Sequence, residues 1–276
     1  LILKYIILKG DEMRKFSKDI KTIVIKVGSS SITHENGKIN LQKIDELCFE
    51  IANLKNNGLN VLLVSSGAIA AGRAKLNLKD RPKETADKQA AASVGQVALT
   101  NIYDRSLISY GYNSAQILLT RQIEKDEEMR VNAKNTFEKL QKVNAVPIIN
   151  ENDTISTYEI KFGDNDTLSA VIARITEADL LIMLTDIEGL YTDDPRENKD
   201  AQIIMEVDNI EDVESAAKET NSNVGTGGMQ TKIKAAKLAV EKNIEVVIAS
   251  GADMKIIRDI VKGEDIGTYF KCGRAR

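Results

Sequence analysis

Lys26 lies in the run Ile25-Lys26-Val27-Gly28-Ser29-Ser30-Ser31, where a β-branched apolar segment gives way to a glycine and three hydroxyl residues. A lysine among residues that belong inside a sheet is costly unless its ammonium meets an anion. Gly28 has no Cβ, so the backbone at Gly28 and Ser29 can come close to a phosphate. The competing reading is an edge-strand lysine that points to solvent. A second lysine, Lys232, closes the run Gly225-Thr226-Gly227-Gly228-Met229-Gln230-Thr231-Lys232, which leads into a helical pattern. A cation in the first turn of a helix opposes the helix dipole, and an anionic ligand would repair that mismatch. The spacing of a P-loop is absent, as are the H-R-D and D-F-G signatures of protein kinases.

Three more segments carry chemistry-bearing residues. Val64-Ser65-Ser66-Gly67-Ala68-Ile69-Ala70-Ala71-Gly72 is a strand end that opens a helix with mostly very small side chains, so either a ligand or a neighbouring helix must approach closely there. Asn150-Glu151-Asn152-Asp153 and Asp164-Asn165-Asp166 concentrate amides and carboxylates at a strand end and a helix start. Helix capping accounts for one such carboxylate but not for the whole density. A site for an amino acid needs acceptors for an ammonium and donors for a carboxylate, and these residues supply both. Thr185-Asp186, followed by Leu190-Tyr191 and the turn residues Asp193-Asp194-Pro195, suggests a hairpin that could lie over an adenine ring.

The elements that must position these residues alternate between two periods. Apolar runs at 22–27, 60–65, 114–119, 146–150, 180–185 and 245–249 have the length of buried strands. Patterns at 41–56, 88–109, 126–143, 166–175 and 231–242 repeat apolar residues at helical spacing. This βαβ alternation predicts an α/β protein, a mostly parallel open sheet covered on both faces, with ligands beyond the carboxyl ends of the strands. With no flexible linker or fixed repeat, a single domain over 16–276 is expected. Its two lobes should meet near 174–179, the substrate side lying in 16–174 and the nucleotide side in 175–276. The opening LILKYIIL is too short to span a bilayer, which needs about 20 residues, and is not a secretory signal. Residues 1–15 are therefore expected to stand outside the fold, with Met13 as the natural start.

Composition removes other classes. The chain has 276 residues, 42% of them hydrophobic and 29% charged, and a net charge of −3, so there is no basic field for nucleic acid and no membrane segment. Its single histidine, His34, falls in the polar run His34-Glu35-Asn36-Gly37, which reads as a solvated turn and leaves no histidine for a Ser-His-Asp triad or a zinc centre. Cys48 and Cys272 are far apart, which fits a reducing cytoplasm.

Taken in order, IVIKVGSSSIT, VSSGAIAAG, INENDT, KFGDNDTLSA, LLIMLTDIEGLYTDDPR and GTGGMQTK, spread over 22–270, resemble the amino-acid kinase family, and within it the branch that acts on glutamate. The resemblance implies a three-layer α/β/α sandwich that transfers the γ-phosphoryl of ATP to the side-chain carboxylate of L-glutamate, opening proline biosynthesis, with Mg²⁺ accompanying the nucleotide. It implies that Lys26 and Lys232 are phosphate lysines and that Asp166 holds them. It puts Ser66, Gly67, Ala68, Asp153 and Asn165 on the acid, and Gly28, Ser29, Thr185, Asp186, Thr226, Gly227, Gly228 and Met229 on the nucleotide. No residue is assigned to a metal directly. A homo-oligomer (dimer or tetramer) and inhibition by proline are further expectations from resemblance, and the RNA-binding-like C-terminal domain that many members carry is expected to be missing. A carboxylate nucleophile is already ionised at neutral pH, so the lack of a histidine base is no obstacle. The rival readings are a kinase of N-acetylglutamate, aspartate or carbamate, and a non-catalytic amino-acid or nucleotide sensor.

Overall fold

The computed structural model describes residues 13–156, 165–193, 195, 197–211, 213 and 228–272. The chain runs β1 (Thr22–Val27), α1 (Leu41–Asn56), β2 (Asn60–Ser65), α2 (Ala68–Lys75), α3 (Thr85–Ser109), β3 (Asn113–Leu119), α4 (Glu127–Lys142), β4 (Ala145–Glu151), α5 (Asn165–Ile175), β5 (Leu180–Thr185), β6 (Leu190–Tyr191), β7 (Ile203–Ile204), β8 (Glu206–Val207), α6 (Gly228–Val240), β9 (Glu245–Ser250), α7 (Ile256–Lys262) and β10 (Thr268–Phe270). Eight strands form one sheet in the order β3-β4-β2-β1-β5-β9-β10-β8, and only β10 against β9 pairs antiparallel. Among the described residues no helix is long and apolar enough to cross a membrane.

Alternation along β1 sorts the molecule into three layers. Val24 points to the face that packs against Phe137 of α4, Ala170 and Ile172 of α5, and Ala235 and Ala239 of α6. Ile23, Ile25 and Val27 point to the other, against Leu47 and Ile51 of α1, Leu99 and Tyr103 of α3, and Ile257 and Ile260 of α7. The expected α/β/α sandwich is the observed one. Lys26 has the parity of Val24 and pairs in register with Val64 and Met183, so its side chain leaves the sheet toward α5 and α6. With β2 on one side and β5 on the other, β1 is central, which removes the edge-strand reading of Lys26.

Most expected elements fall where the periodicity put them, and the differences have local causes. The helix expected at 88–109 starts at Thr85, because an Ala and an Asp in the first turn extend it without adding to the apolar period. Asp126 is the cap of α4, accepting from the Met129 N–H at 3.0 Å, rather than its first turn. Leu190 and Tyr191 do not fold back on β5. They pair antiparallel with Ile204 and Ile203, so the expected hairpin has a different partner. Thr268 makes that pairing: its hydroxyl accepts from the Leu190 N–H at 2.7 Å and donates to the Ile204 carbonyl at 2.6 Å. The expected outside segment 1–15 is also too long. Arg14, its side chain 3% exposed, ion-pairs with Asp265 at 2.9 Å and lies over the Tyr269 ring.

Candidate active site

The carboxyl ends of β1, β2, β4, β5 and β9 open on one side of the sheet. The chain order reverses around β1, since β2 and β4 extend the sheet one way and β5 and β9 the other. Such a switch point leaves a crevice for a ligand. Lys26 reaches it from the penultimate position of β1, Asp166 from the first turn of α5 and Lys232 from α6. The Lys26 ammonium is 2.6 Å from Asp166 Oδ1, and the Lys232 ammonium is 3.1 Å from Asp166 Oδ2. Thr231 donates its hydroxyl to Oδ2 at 2.9 Å. All three charged residues are nearly removed from solvent, at 6%, 2% and 8% exposed. Burial alone would raise the Asp166 pKa, but the two ammonium groups outweigh it and hold the carboxyl below its ordinary range. The group is thus a buried carboxylate with a net excess of one positive charge around it. Desolvating three ions offers a fold little net stability, so an anion to be bound is the better reason for the arrangement.

Lys232 sits one turn further into its helix than expected, because α6 begins at Gly228. Helical side chains lean toward the N-terminus, so the ammonium still reaches the mouth of the sheet.

Around the mouth the amides and hydroxyls form a second group. Asn165 Nδ2 donates to Ser66 Oγ and to Asn150 Oδ1, both at 2.9 Å. Ser66 is held to β1 by its own N–H, which donates to the Val27 carbonyl at 3.0 Å. Gly67 follows at φ +109 as the cap of α2, a conformation that suits only glycine, and it aims the first amides of α2, from Ala68 on, at the crevice. Asp153 is buried in the turn after β4, which Ser156 closes by donating to the Glu151 carboxylate. The structure therefore brings Ser66, Gly67, Ala68, Asp153 and Asn165 to the ends of neighbouring elements.

Of the expected nucleotide residues, Gly28 lies beside the lysine: a Cβ built there would be 3.6 Å from Lys26 Nζ. Ser29 begins a 3-10 turn directly after it. Thr185 ends β5 and Asp186 follows it; Thr185 donates to Asp186 at 3.0 Å and its carbonyl accepts from the Gly251 N–H at 2.7 Å. Gly228 and Met229 open α6. Thr226 and Gly227 lie outside the described residues, as do Gly163 and Asp164. Among the described residues no three His, Cys, Asp or Glu side chains group as metal ligands. Both Asp166 oxygens face ammonium groups, so these side chains suit an anion better than a bare cation.

Three polar residues of this region were not singled out by sequence reasoning. Asn150 counted only as one of a polar set, and Thr231 stood inside its motif without a role. Gln96 carried no signal, because it lies in a run of small residues in the middle of α3. The close approach anticipated at 64–72 is made by a helix: a Cβ on Gly72 would fall 1.7 Å from the Ala91 carbonyl, and one on Gly95 1.7 Å from that of Ala68. His34 lies in an exposed turn, as expected, closed by the Gly37 N–H on the His34 carbonyl.

Residues 21–250 match the amino acid kinase family. The chain belongs to this family. It is 49% identical over 258 residues to glutamate 5-kinase of Clostridium tetani, covering 93% of this chain and 97% of that protein. It is 47% identical over 263 residues to glutamate 5-kinase of Enterococcus faecalis, covering 94% and 97%. The match to glutamate 5-kinase of Carboxydothermus hydrogenoformans, 49% over 260 residues, covers 94% of this chain and 70% of that longer protein. Among solved structures, UMP kinase of Bacillus anthracis superposes with a TM-score of 0.62 at 15% identity, covering 93% and 98% of the two chains. Isopentenyl phosphate kinase of T. acidophilum gives 0.61 at 16%, covering 91% and 100%. These distant likenesses confirm the amino acid kinase sandwich. As a kinase of this family, the protein takes ATP as its phosphoryl donor.

Proposed function

We propose that the protein phosphorylates the side-chain carboxylate of L-glutamate with ATP, giving L-glutamyl 5-phosphate for proline biosynthesis. The observation that carries this reading is Asp166 set between Lys26 and Lys232 at the switch point of the sheet. The names of its relatives supply the acid.

In this reading the acid binds on the β2 and β4 side. Ser66 and the first amides of α2 at Gly67 and Ala68 face its carboxylate, while Asp153 and Asn165 offer oxygens to its ammonium. An acylated amine such as that of N-acetylglutamate carries no charge for Asp153 to meet. The nucleotide lies on the β5 and α6 side, against Gly28, Ser29, Thr185, Asp186, Gly228 and Met229, with Thr226 and Gly227 just before them in the sequence. Phosphoryl transfer asks little covalent work of a protein, so positioned cations supply most of the catalysis. The substrate carboxylate, ionised at neutral pH, attacks the γ-phosphorus in line, and the bond to the β-γ bridging oxygen breaks. Lys26 and Lys232 face the charge on the transferred group and on the departing ADP, and Asp166 keeps the two ammonium groups apart and aimed. Magnesium arriving on the nucleotide phosphates would neutralise part of that charge.

A homo-oligomer fits β3, an edge strand with Leu118 exposed, and α3, which exposes Val97 and Ile108. Two unpaired cysteines fit a cytoplasmic location. A pocket for a free amino acid would also admit proline, which shares the ammonium and carboxylate of glutamate. The test is release of ADP from ATP and magnesium with glutamate, aspartate, N-acetylglutamate or carbamate. Turnover with glutamate and little with the others is expected. Turnover with another acid, or glutamate binding without turnover, overturns the assignment.

A further inference from the structure

Gln96 of α3 is linked to the residues placed on substrate through a string of amides. Its Oε1 accepts from Asn150 Nδ2 at 2.9 Å, Asn150 Oδ1 accepts from Asn165 Nδ2 at 2.9 Å, and the same Nδ2 donates to Ser66 Oγ at 2.9 Å. At the far end Gln96 Nε2 donates to Thr100 Oγ1 at 3.3 Å, as does Gln116 Nε2 at 3.0 Å. The direction of the string is set by one backbone group. The Glu151 N–H can only donate, and it donates to Asn150 Oδ1 at 2.9 Å. Asn150 must then turn its NH₂ toward Gln96, which must present its carbonyl oxygen. Asn165 must likewise turn its NH₂ toward Asn150 and Ser66. Ser66 Oγ therefore accepts from the protein, which leaves its O–H to donate, the polarity needed to meet a carboxylate.

The helix crossing holds Gln96 at this place. The contacts at Gly72 and Gly95 let α3 lie against α2, and Gly95 is the residue next to Gln96. The same crossing fixes Ala68, so the two sides of the acid pocket are registered to one another by backbone contact. Gln96, Asn150 and Asn165 are all buried, so no bulk water replaces a lost partner freely.

We infer that Gln96 is a positioning residue for the acid pocket, fixing the donor sense of Ser66 through Asn150 and Asn165. The inference rests on the glutamate-kinase reading of that pocket. Gln96→Met removes the acceptor at similar volume. The KM for the acid is expected to rise about tenfold, the scale of one lost buried hydrogen bond, while the KM for ATP stays within about twofold. Gln96→Glu keeps an oxygen for Asn150 and can accept from the Thr100 hydroxyl, so it should return the acid KM to within about threefold of wild type. Thr100→Val, which removes only the distant anchor and folds more safely, should move the acid KM in the same direction by about twofold to threefold.

The measurement uses whichever acid the wild-type protein turns over. Failure of glutamate to be that acid counts against the assignment above and leaves the comparison of variants intact. Equal changes in both KM values, a lowered melting temperature with neither KM moved, or no recovery in Gln96→Glu would overturn the positioning role. A wild-type protein that turns over no acid would overturn both.

Discussion

Each end of the central sheet carries a carboxylate, buried at the carboxyl end and half-buried at the amino end, and the two use their oxygens differently. At the carboxyl end Asp166 faces side-chain cations, Lys26 and Lys232, which can turn toward a ligand. At the amino end Asp179, just before β5, accepts from the backbone N–H groups of Lys21 and Thr22 at 2.8 and 2.9 Å and pairs with Lys18 at 2.9 Å. It ties the start of β1 to the start of β5. Glu245 does the same for the first described segment, accepting from the Ser17 N–H at 3.0 Å and from the Tyr269 hydroxyl. Carboxylates bound to backbone hold strands in register, whereas one bound to flexible ammonium groups organises charge for something else. Both Asp166 and Asp179 titrate below the ordinary carboxyl range against the opposing effect of burial, so a pKa shift alone does not separate the two roles.

The sharpest test of this contrast removes the cations. Lys26→Ala or Lys232→Ala should lower turnover by about 10² or more, the usual scale for a charge-stabilising group, and steady-state ADP release will show it. Near-normal turnover in a folded variant would erase the distinction between the two ends. Asp166→Asn should also fall by about 10², because two ammonium groups then face each other without a counter-charge.

Gly95→Ala probes the crossing that carries the mouth. The added Cβ meets backbone at the Ala68 carbonyl, so α2 and α3 must part, at a cost of about 1–3 kcal/mol in urea unfolding. Its acid KM should rise as well, since Ala68 and Gln96 move together.

Asp179→Asn should cost about 1–2 kcal/mol in the same unfolding experiment, with turnover per folded molecule unchanged. A loss of activity matching that at Asp166 would show that the amino end is not purely structural. The pH dependence has a definite sign. With its folded pKa below the unfolded value of about 3.9, Asp179 contributes stability that is complete above that value and vanishes as pH falls through the folded pKa. The gap between wild type and Asp179→Asn should thus be constant from pH 7 to about 5 and narrow below about 4.

The smallest effect is expected at Cys48. Burial pushes its thiol pKa up to about 12, so alkylation of the folded protein near pH 8 should leave it unmodified. Labelling there at the rate of a free thiol would mean that the α1 and α3 face opens.

Strand positions were legible because a strand buried on both faces must be apolar throughout, and β1, β2 and β5 begin and end where their sequences turn polar. The two lysines were legible for the complementary reason: each is a charge where local rules disfavour one. The short strands β7, β8 and β10 were not, and β6 was expected with the wrong partner, because two or three residues carry no period and their pairing depends on segments distant in the chain. Sequence alone determined which residue types had to be inside and which charges needed a partner, since both follow from the cost of leaving water. Tertiary structure set Asp166 between both lysines, a pairing that only the family resemblance had implied, and joined Gln96 of α3 to Asn150 at the end of β4. Those contacts join residues 66, 140 and 54 positions apart, and strand order and a glycine-to-backbone helix crossing bring them together.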